Sequence, residues 1–414
     1  MDKKLILFGA GKIGRSFIGQ IFARSNYEVV FIDVIKPLID ELNKKRCYKV
    51  IFRSGEDQVL LIKNVRGVYL YNEAEVAEEI ASAEIAAVSV GASGLSQIFP
   101  VIAKGLILRY KTHGDRPLDI IIAENLRHAA QLFYTELAGC LPDTFPLKNF
   151  VGMVESCIGK MVPPVPRKDI GDDILKVIAE PYNTLIVNKN AFINPVPEVI
   201  GISPKKNIRA WVDRKLFVHN MGHSAAAYIG YLFNPGLRYM YEVLDISEIK
   251  DLVKETMIQA SNTLVKIYPK EFTSHQMDAY INDLILRFRN KALGDTVFRV
   301  GCDLFRKLGE NDRFAGIIKL SLNNNMPFDK ILFALICGCH FRAPDEKGII
   351  FQRDAEFENQ YQYDIPKILT DVCNFDIIED QKVFDKAMFI DTCLNDFRNG
   401  RITFSEMTGS TKSG

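Results

Sequence analysis

The sequence has no long hydrophobic run, no dominant sign of charge and a single tryptophan. No stretch approaches the roughly 20 apolar residues that a bilayer span requires. The opening run Leu5-Ile6-Leu7-Phe8 is interrupted at once by Gly9 and Gly11, too soon for the core of a secretory signal. Lys and Arg number 52 against 51 Asp and Glu, so no net field draws the chain to nucleic acid or anionic membrane. The aromatics are scattered and do not interleave with basic residues as in single-strand binders. Eight cysteines (47, 140, 157, 302, 337, 339, 373, 393) lack framework spacing. They read as reduced, mostly buried thiols in a cytoplasmic protein.

What is present is a chain of 414 residues, long enough for two cores. Its first half alternates short apolar runs with helical patterns. Lys4 to Phe8, Glu28 to Ile32, Ile85 to Val90 and Leu118 to Ala123 read as strands. Ile13 to Ala23 and Lys36 to Lys45 read as helices. This order predicts a parallel sheet covered on both faces. A proline-rich stretch, Pro163 to Pro204, leads to the domain connection and has room for further strands. Beyond Lys206 helical patterns dominate: Ile208 to Leu232, Ile246 to Tyr268, Met277 to Asn290, Phe314 to Asn324 and Phe328 to Phe341. Ser405 to Gly414 reads as a frayed tail.

Gly9-Ala10-Gly11-Lys12-Ile13-Gly14 is a GxGxxG run. Glycine content alone would supply roughly 0.1 such runs by chance; its place after a strand and at the start of a helix makes it specific. Gly9 permits the tight turn, Gly11 lets backbone approach a pyrophosphate, and Gly14 lets the helix pack closely on the strand. The phosphates would meet the positive helix start, at Lys12 and Ile13. Asp33 ends the next strand, where a carboxylate accepts from a ribose hydroxyl and repels the extra phosphate of NADP, so NAD is the expected cofactor. Gly91, in Val90-Gly91-Ala92-Ser93, either lines the cofactor or makes an ordinary strand-end turn.

The second informative stretch is Arg214-Lys215-Leu216-Phe217-Val218-His219-Asn220-Met221-Gly222-His223. On an α-helix Lys215, Asn220 and His223 fall within about 140° of arc. Three polar groups on one side of an apolar helix need a reason. Hydride leaves a carbinol carbon only as its hydroxyl proton is removed. Without a metal, a desolvated lysine can be the base, while amide and imidazole donors steady the alkoxide. Taken alone, the residues leave another reading open: Lys215 as a solvated charge, Asn220 as a helix-end residue and His223 as a satisfied core histidine.

The Lys-x4-Asn-x2-His pattern at Lys215, Asn220 and His223 resembles the signature of the polyol-specific long-chain dehydrogenase/reductase family. Phe8 to Gly19, Ala123-Glu124-Asn125 and His340-Phe341-Arg342 carry the likeness further, with gaps, to about residue 345. The resemblance implies an α/β N-terminal Rossmann-type domain over 1–204 and a mainly α-helical C-terminal domain over 205–404, with 405–414 a flexible tail and the active site in the cleft between the domains. It implies an NAD-dependent, metal-independent polyol/ketose oxidoreductase, taking mannitol 1-phosphate to fructose 6-phosphate, and a monomer. Lys215 resembles the general base, Asn220 and Asn125 the oxyanion-holding amides, and His223 the substrate-holding residue. Lys160, Arg214, His340 and Arg342 are candidates for substrate contact. Relatives carry Asp-Arg where this chain has Gly159-Lys160, which removes a carboxylate. A non-phosphorylated polyol or an aldonate (mannitol, arabinitol, altronate or mannonate type) is the alternative substrate. A catalytically silent NAD-binding sensor is the alternative of a different class, against which the intact Lys-Asn-His set counts.

Cys337-Gly338-Cys339-His340 lacks the spacing and the second ligand pair of a structural zinc site. Its cysteines read as small hydrophobes on an apolar helix. Asp380, Asp385 and Asp391 read as exposed charges, and Lys44-Lys45-Arg46 as a solvated helix end.

Overall fold

The computed structural model describes residues 3–54, 56–126, 128–162 and 173–410. The chain forms two compact units, Met1–Trp211 and Val212–Gly414. The boundary lies seven residues beyond the one expected at 204/205, within the helical stretch that begins at Ile208. Of the proline-rich connection, 163–172 lie outside the described residues.

The first unit is built on an eight-stranded sheet. β1 (Lys4–Phe8), β2 (Glu28–Asp33) and β5 (Val65–Tyr69) run parallel on one side. β6 (Ile85–Val88), β7 (Leu118–Ile122) and β8 (Val151–Cys157) continue in parallel on the other. β10 (Leu185–Asn188) joins β8 antiparallel, and β11 (Ile202–Lys205) pairs with β10 in parallel. β3 (Cys47–Ser54) and β4 (Glu56–Lys63) form a hairpin that makes a second sheet with β9 (Val177–Ala179). The sequence pattern does not announce this hairpin, because β4 turns most of its side chains to solvent.

β1 shows why a parallel strand is apolar on both faces. Leu5 and Leu7 join one core with Phe17, Ile18, Phe31, Tyr48 and Phe52. Ile6 and Phe8 join another with Val30, Ile80, Phe99 and Phe133. The chain leaves β1 toward β2 and returns to β6 on its other side. This reversal opens a crevice at the carboxyl edge, the usual ligand position in such sheets.

Among its described residues the second unit holds helices and one isolated bridge, Tyr239 to Thr296. Its centre is Met221–Phe233, buried along most of its length and packed by Ser247–Ile267 and Asp329–Cys339. The expected tail is in part a helix: Phe404–Ser410 docks Phe404 and the fully buried Met407, while 411–414 lie outside the described residues. Among the described residues no helix is long and apolar enough to cross a membrane.

Candidate active site

In the first unit the glycine turn follows β1 at the carboxyl edge. Gly9 has φ +96°, and a Cβ there would lie 2.1 Å from Ser89 O. A Cβ on Gly14 would lie 2.0 Å from Gly9 O. Both positions therefore exclude a side chain. Around Gly11 a Cβ would meet nothing within 4 Å, which leaves the backbone open to a ligand. Lys12 is exposed and Ile13 half-buried at the helix start. The expected helix over 13–23 is present, but its turn Gly14–Gly19 is wound as a π-helix with all six residues buried.

Asp33 ends β2 beside this turn. Its Oδ2 accepts from Ala10 N at 2.7 Å and its Oδ1 from Ile35 N at 2.9 Å. Arg15 is buried beneath the turn, where Nε donates to Ala10 O at 2.7 Å and Nη1 to Ile174 O at 3.0 Å. Glu124 closes the neighbouring strand end: its Oε1 accepts from Val90 N at 2.7 Å and Gly91 N at 2.9 Å. Burial raises the Glu124 carboxyl above its usual range, against the pull of those two amides. Asn125 follows on the exposed rim. Gly9, Gly11, Gly14, Asp33 and Gly91 thus surround one edge of the sheet, with open backbone and a carboxylate as a dinucleotide requires.

In the second unit Lys215, Asn220 and His223 share a helix, but not the regular one expected. Lys215–Asn220 is a π turn, in which Met221 N donates to Leu216 O five residues back. A π turn carries one extra residue. Offsets of five and eight then act as four and seven of α spacing, and the arc shrinks from about 140° to about 60°. The three groups form one stripe, all half-buried. Arg313 braces the turn, donating to Asn220 O at 3.3 Å and Ser224 Oγ at 3.0 Å.

His223 stacks on Phe288 with centroids 4.3 Å apart and planes 9° apart. Its Nε2 lies 3.2 Å from Asp295 Oδ2. Burial pushes His223 below its ordinary value; Asp295 opposes this, while Arg299 and Lys307 add to it. His219, fully buried on the same turn, is pushed well down, chiefly by burial. Phe288, Asp295, Arg299 and Lys307 had no sequence signal, since they lie far along the chain and match no short motif.

The other expected substrate residues are placed less simply. Lys160 is buried inside the first unit, where Nζ donates to Tyr182 O and Asn183 Oδ1, both at 2.8 Å, and lies 4.6 Å from the Phe52 ring centroid. These bonds tie its ammonium to structure. Arg214 lies over Tyr280 at 3.9 Å. Arg342 Nη1 donates to Cys339 O and Phe341 O, and Nε lies 3.3 Å from Glu358 Oε2. His340 is held between Asp391 Oδ1 at 2.6 Å and Arg398 Nη1 at 2.9 Å, so Asp391 is not the exposed charge the sequence suggests. Cys337 and Cys339 are buried, and burial pushes their thiols up.

The family model described as the mannitol dehydrogenase Rossmann domain matches residues 3–201, and the mannitol dehydrogenase C-terminal domain matches 207–388. The chain is similar in fold to a D-sorbitol dehydrogenase in substrate-free form, with a TM-score of 0.80 at 16% identity, over 97% of this chain and 94% of that one. It is also similar to the Pseudomonas fluorescens mannitol 2-dehydrogenase solved with NAD and D-mannitol, with a TM-score of 0.72 at 14% identity, over 100% of this chain and 95% of that one.

Proposed function

Since this chain belongs to the mannitol dehydrogenase family, we propose that it is an NAD-dependent polyol/ketose oxidoreductase with Lys215 as general base. The observation that carries the reading is the single stripe of Lys215, Asn220 and His223 made by the π turn. When bound, the nucleotide would supply the hydride acceptor for polyol oxidation and the hydride donor for ketose reduction. The glycine turn and Asp33 would hold it. In polyol oxidation Lys215 Nζ takes the hydroxyl proton, and in ketose reduction it gives that proton back. The Asn220 amide donates to the developing alkoxide, and by resemblance Asn125 does the same. His223 holds the substrate. A lysine base makes a metal unnecessary, so exhaustive chelation leaves turnover unchanged; loss of activity on removing a stoichiometric metal overturns the lysine mechanism.

The proposed pair is mannitol 1-phosphate and fructose 6-phosphate, because the opening Phe8 to Gly19 and the Arg214-Lys215-Leu216-Phe217 stretch resemble mannitol-1-phosphate 5-dehydrogenase. A phosphate requires cationic donors, for which Arg214 and Arg342 are candidates. The engagement of Lys160 and Arg342 favours a second reading, a non-phosphorylated polyol or an aldonate. Assays with NADH against fructose 6-phosphate, fructose, xylulose, tagaturonate and fructuronate separate the two. The highest kcat/KM is expected with fructose 6-phosphate; a preference for a neutral ketose or a uronate replaces the phosphate reading and keeps the family chemistry. Turnover of any of them excludes a silent sensor.

A further inference from the structure

His223 can make polar contacts only in the plane of its ring, because one face lies flat against Phe288. One in-plane nitrogen, Nε2, is 3.2 Å from Asp295 Oδ2, with the side chains 13% and 8% exposed. The pair is at ion-pair distance but is not aligned as a hydrogen bond. Contacts of this kind tighten once substrate is bound.

Asp295 is itself rigidly held. Arg299, one helical turn on, grips both of its oxygens: Nε donates to Oδ1 at 2.7 Å, and Nη2 lies 2.5 Å from Oδ2. Asp295 O accepts from Met240 N at 2.9 Å, and the adjacent Thr296 bridges to Tyr239. Burial raises the Asp295 carboxyl, but His223 and Arg299 overcome it and hold it below the usual carboxylate range. The groups acting on His223 and its turn are Asp295, Arg299, Lys307, His219, Arg287, Lys215 and Arg214. Burial favours an uncharged ring, and Arg299 beside it adds to this. A neutral imidazole carries one N–H, and an ionised carboxylate can only accept.

We propose that Asp295 is a positioning residue for the reaction: it fixes the proton of His223 on Nε2 and leaves Nδ1 as the acceptor offered to a substrate hydroxyl. A hydroxyl can donate to that lone pair. A ketone oxygen or a phosphate oxygen cannot, so this contact selects a polyol hydroxyl beside the reacting carbon. The catalytic part of the inference rests on the proposed polyol chemistry. The protonation of the ring does not.

The test reads both parts separately. The full-length protein is labelled with ¹⁵N-histidine, and its ring tautomers are read by long-range ¹H–¹⁵N spectra, His223 being identified by its loss in His223→Gln. The native ring is expected as the Nε2–H tautomer. Asp295→Asn should populate Nδ1–H and raise KM for the polyol on the order of 10–100-fold, the scale for losing a carboxylate behind a functional histidine. Its kcat should change less and its NADH affinity not at all, and Asp295→Glu should recover part of KM. A native Nδ1–H ring overturns the proposal, as does an Asp295→Asn variant with unchanged tautomer and KM. Should Asp295→Asn fail to fold, the native tautomer and Asp295→Glu decide. A native Nε2–H ring in a protein that turns over no polyol refutes the proposed function and leaves the tautomer assignment standing.

Discussion

Two helices hold the candidate site residues of this chain, one in each unit, and each contains a π turn in a different setting. In the N-terminal helix the turn Gly14–Gly19 is wholly buried and presents no side chain to a ligand. What the turn before it offers is mainly backbone: space around Gly11, two glycines that admit no Cβ, and the carboxylate of Asp33 beside them. In the C-terminal unit the turn Lys215–Asn220 buries Phe217, Val218 and His219 and leaves Lys215, Leu216 and Asn220 half-exposed. The candidate groups there are side chains, and the extra residue brings them into register. A backbone site is indifferent to protonation. A site of ionisable side chains in a low dielectric is not, and the two can be separated experimentally.

The largest effect is expected at Lys215. Lys215→Ala should lower kcat by about 10²–10⁴, the usual contribution of an acid–base group, and should leave NADH affinity unchanged because the nucleotide is held by the other unit's turn. Small primary amines added to the assay should restore part of the rate. Steady-state kinetics and NADH titration check both statements. Near-native turnover in Lys215→Ala, with loss in His223→Ala, exchanges the roles of the two residues.

This difference also explains what could be read in the sequence. The glycine turn was legible because only glycine fits where a Cβ would strike Ser89 O or Gly9 O. β1, β2, β6 and β7 were legible because parallel strands buried on both faces are continuous apolar runs. The hairpin of β3 and β4 was not, since its outer strand exposes Val59 and Leu61 among charges and has no clean alternation. The π turn was invisible to a 3.6-residue period. The residues that tune His223 come from other helices and loops, and only folding brings Phe288, Asp295 and Arg299 beside it. The surroundings of Lys160 were not legible either: its ammonium donates to Tyr182 O and Asn183 Oδ1, which lie more than twenty residues along the chain.

Lys307 sharpens the contrast through pH. It is buried, its Nζ donates to Val300 O at 2.7 Å, and burial, with Arg313 and Arg306 adding, lowers its pKa to about 7. The unfolded chain holds a lysine proton up to about 10.4, so between these values the unfolded state binds more protons. The charged lysine therefore costs stability fully below about pH 7, progressively less as pH rises, and not at all above the unfolded value. Lys307→Met should stabilise the C-terminal unit near pH 6 by up to about 4.6 kcal/mol, about 3.4 pH units at about 1.36 kcal/mol each, less about 1–3 kcal/mol for leaving Val300 O without its donor, with the pH-dependent part disappearing by about pH 10. Urea unfolding at the two pH values checks it. A gain independent of pH would trace to packing instead.

The smallest effect is expected from removing the charge of Asp33, the carboxylate that ends β2 beside the glycine turn. Its two oxygens already accept from Ala10 and Ile35 amides, and each keeps a further lone pair for a ribose hydroxyl. The negative charge disfavours the additional phosphate of NADP, while the bond to Ala10 shapes the turn that any dinucleotide needs. These two duties can be told apart. Asp33→Asn keeps one acceptor oxygen and the side-chain shape but removes the charge, so the preference for NAD should narrow by about tenfold, close to 1.4 kcal/mol, with a modest loss of NADH affinity. Asp33→Ala removes the charge and the anchor together. It should narrow the preference to the same degree and weaken both nucleotides, by about 1.5–3 kcal/mol for a hydrogen bond to a charged group. Direct titration of NADH and NADPH into the three proteins reads both quantities. Tighter binding of NADPH by the native protein would mean that Asp33 does not face the ribose, and equal losses for both nucleotides in Asp33→Asn would leave it as a brace for the turn alone.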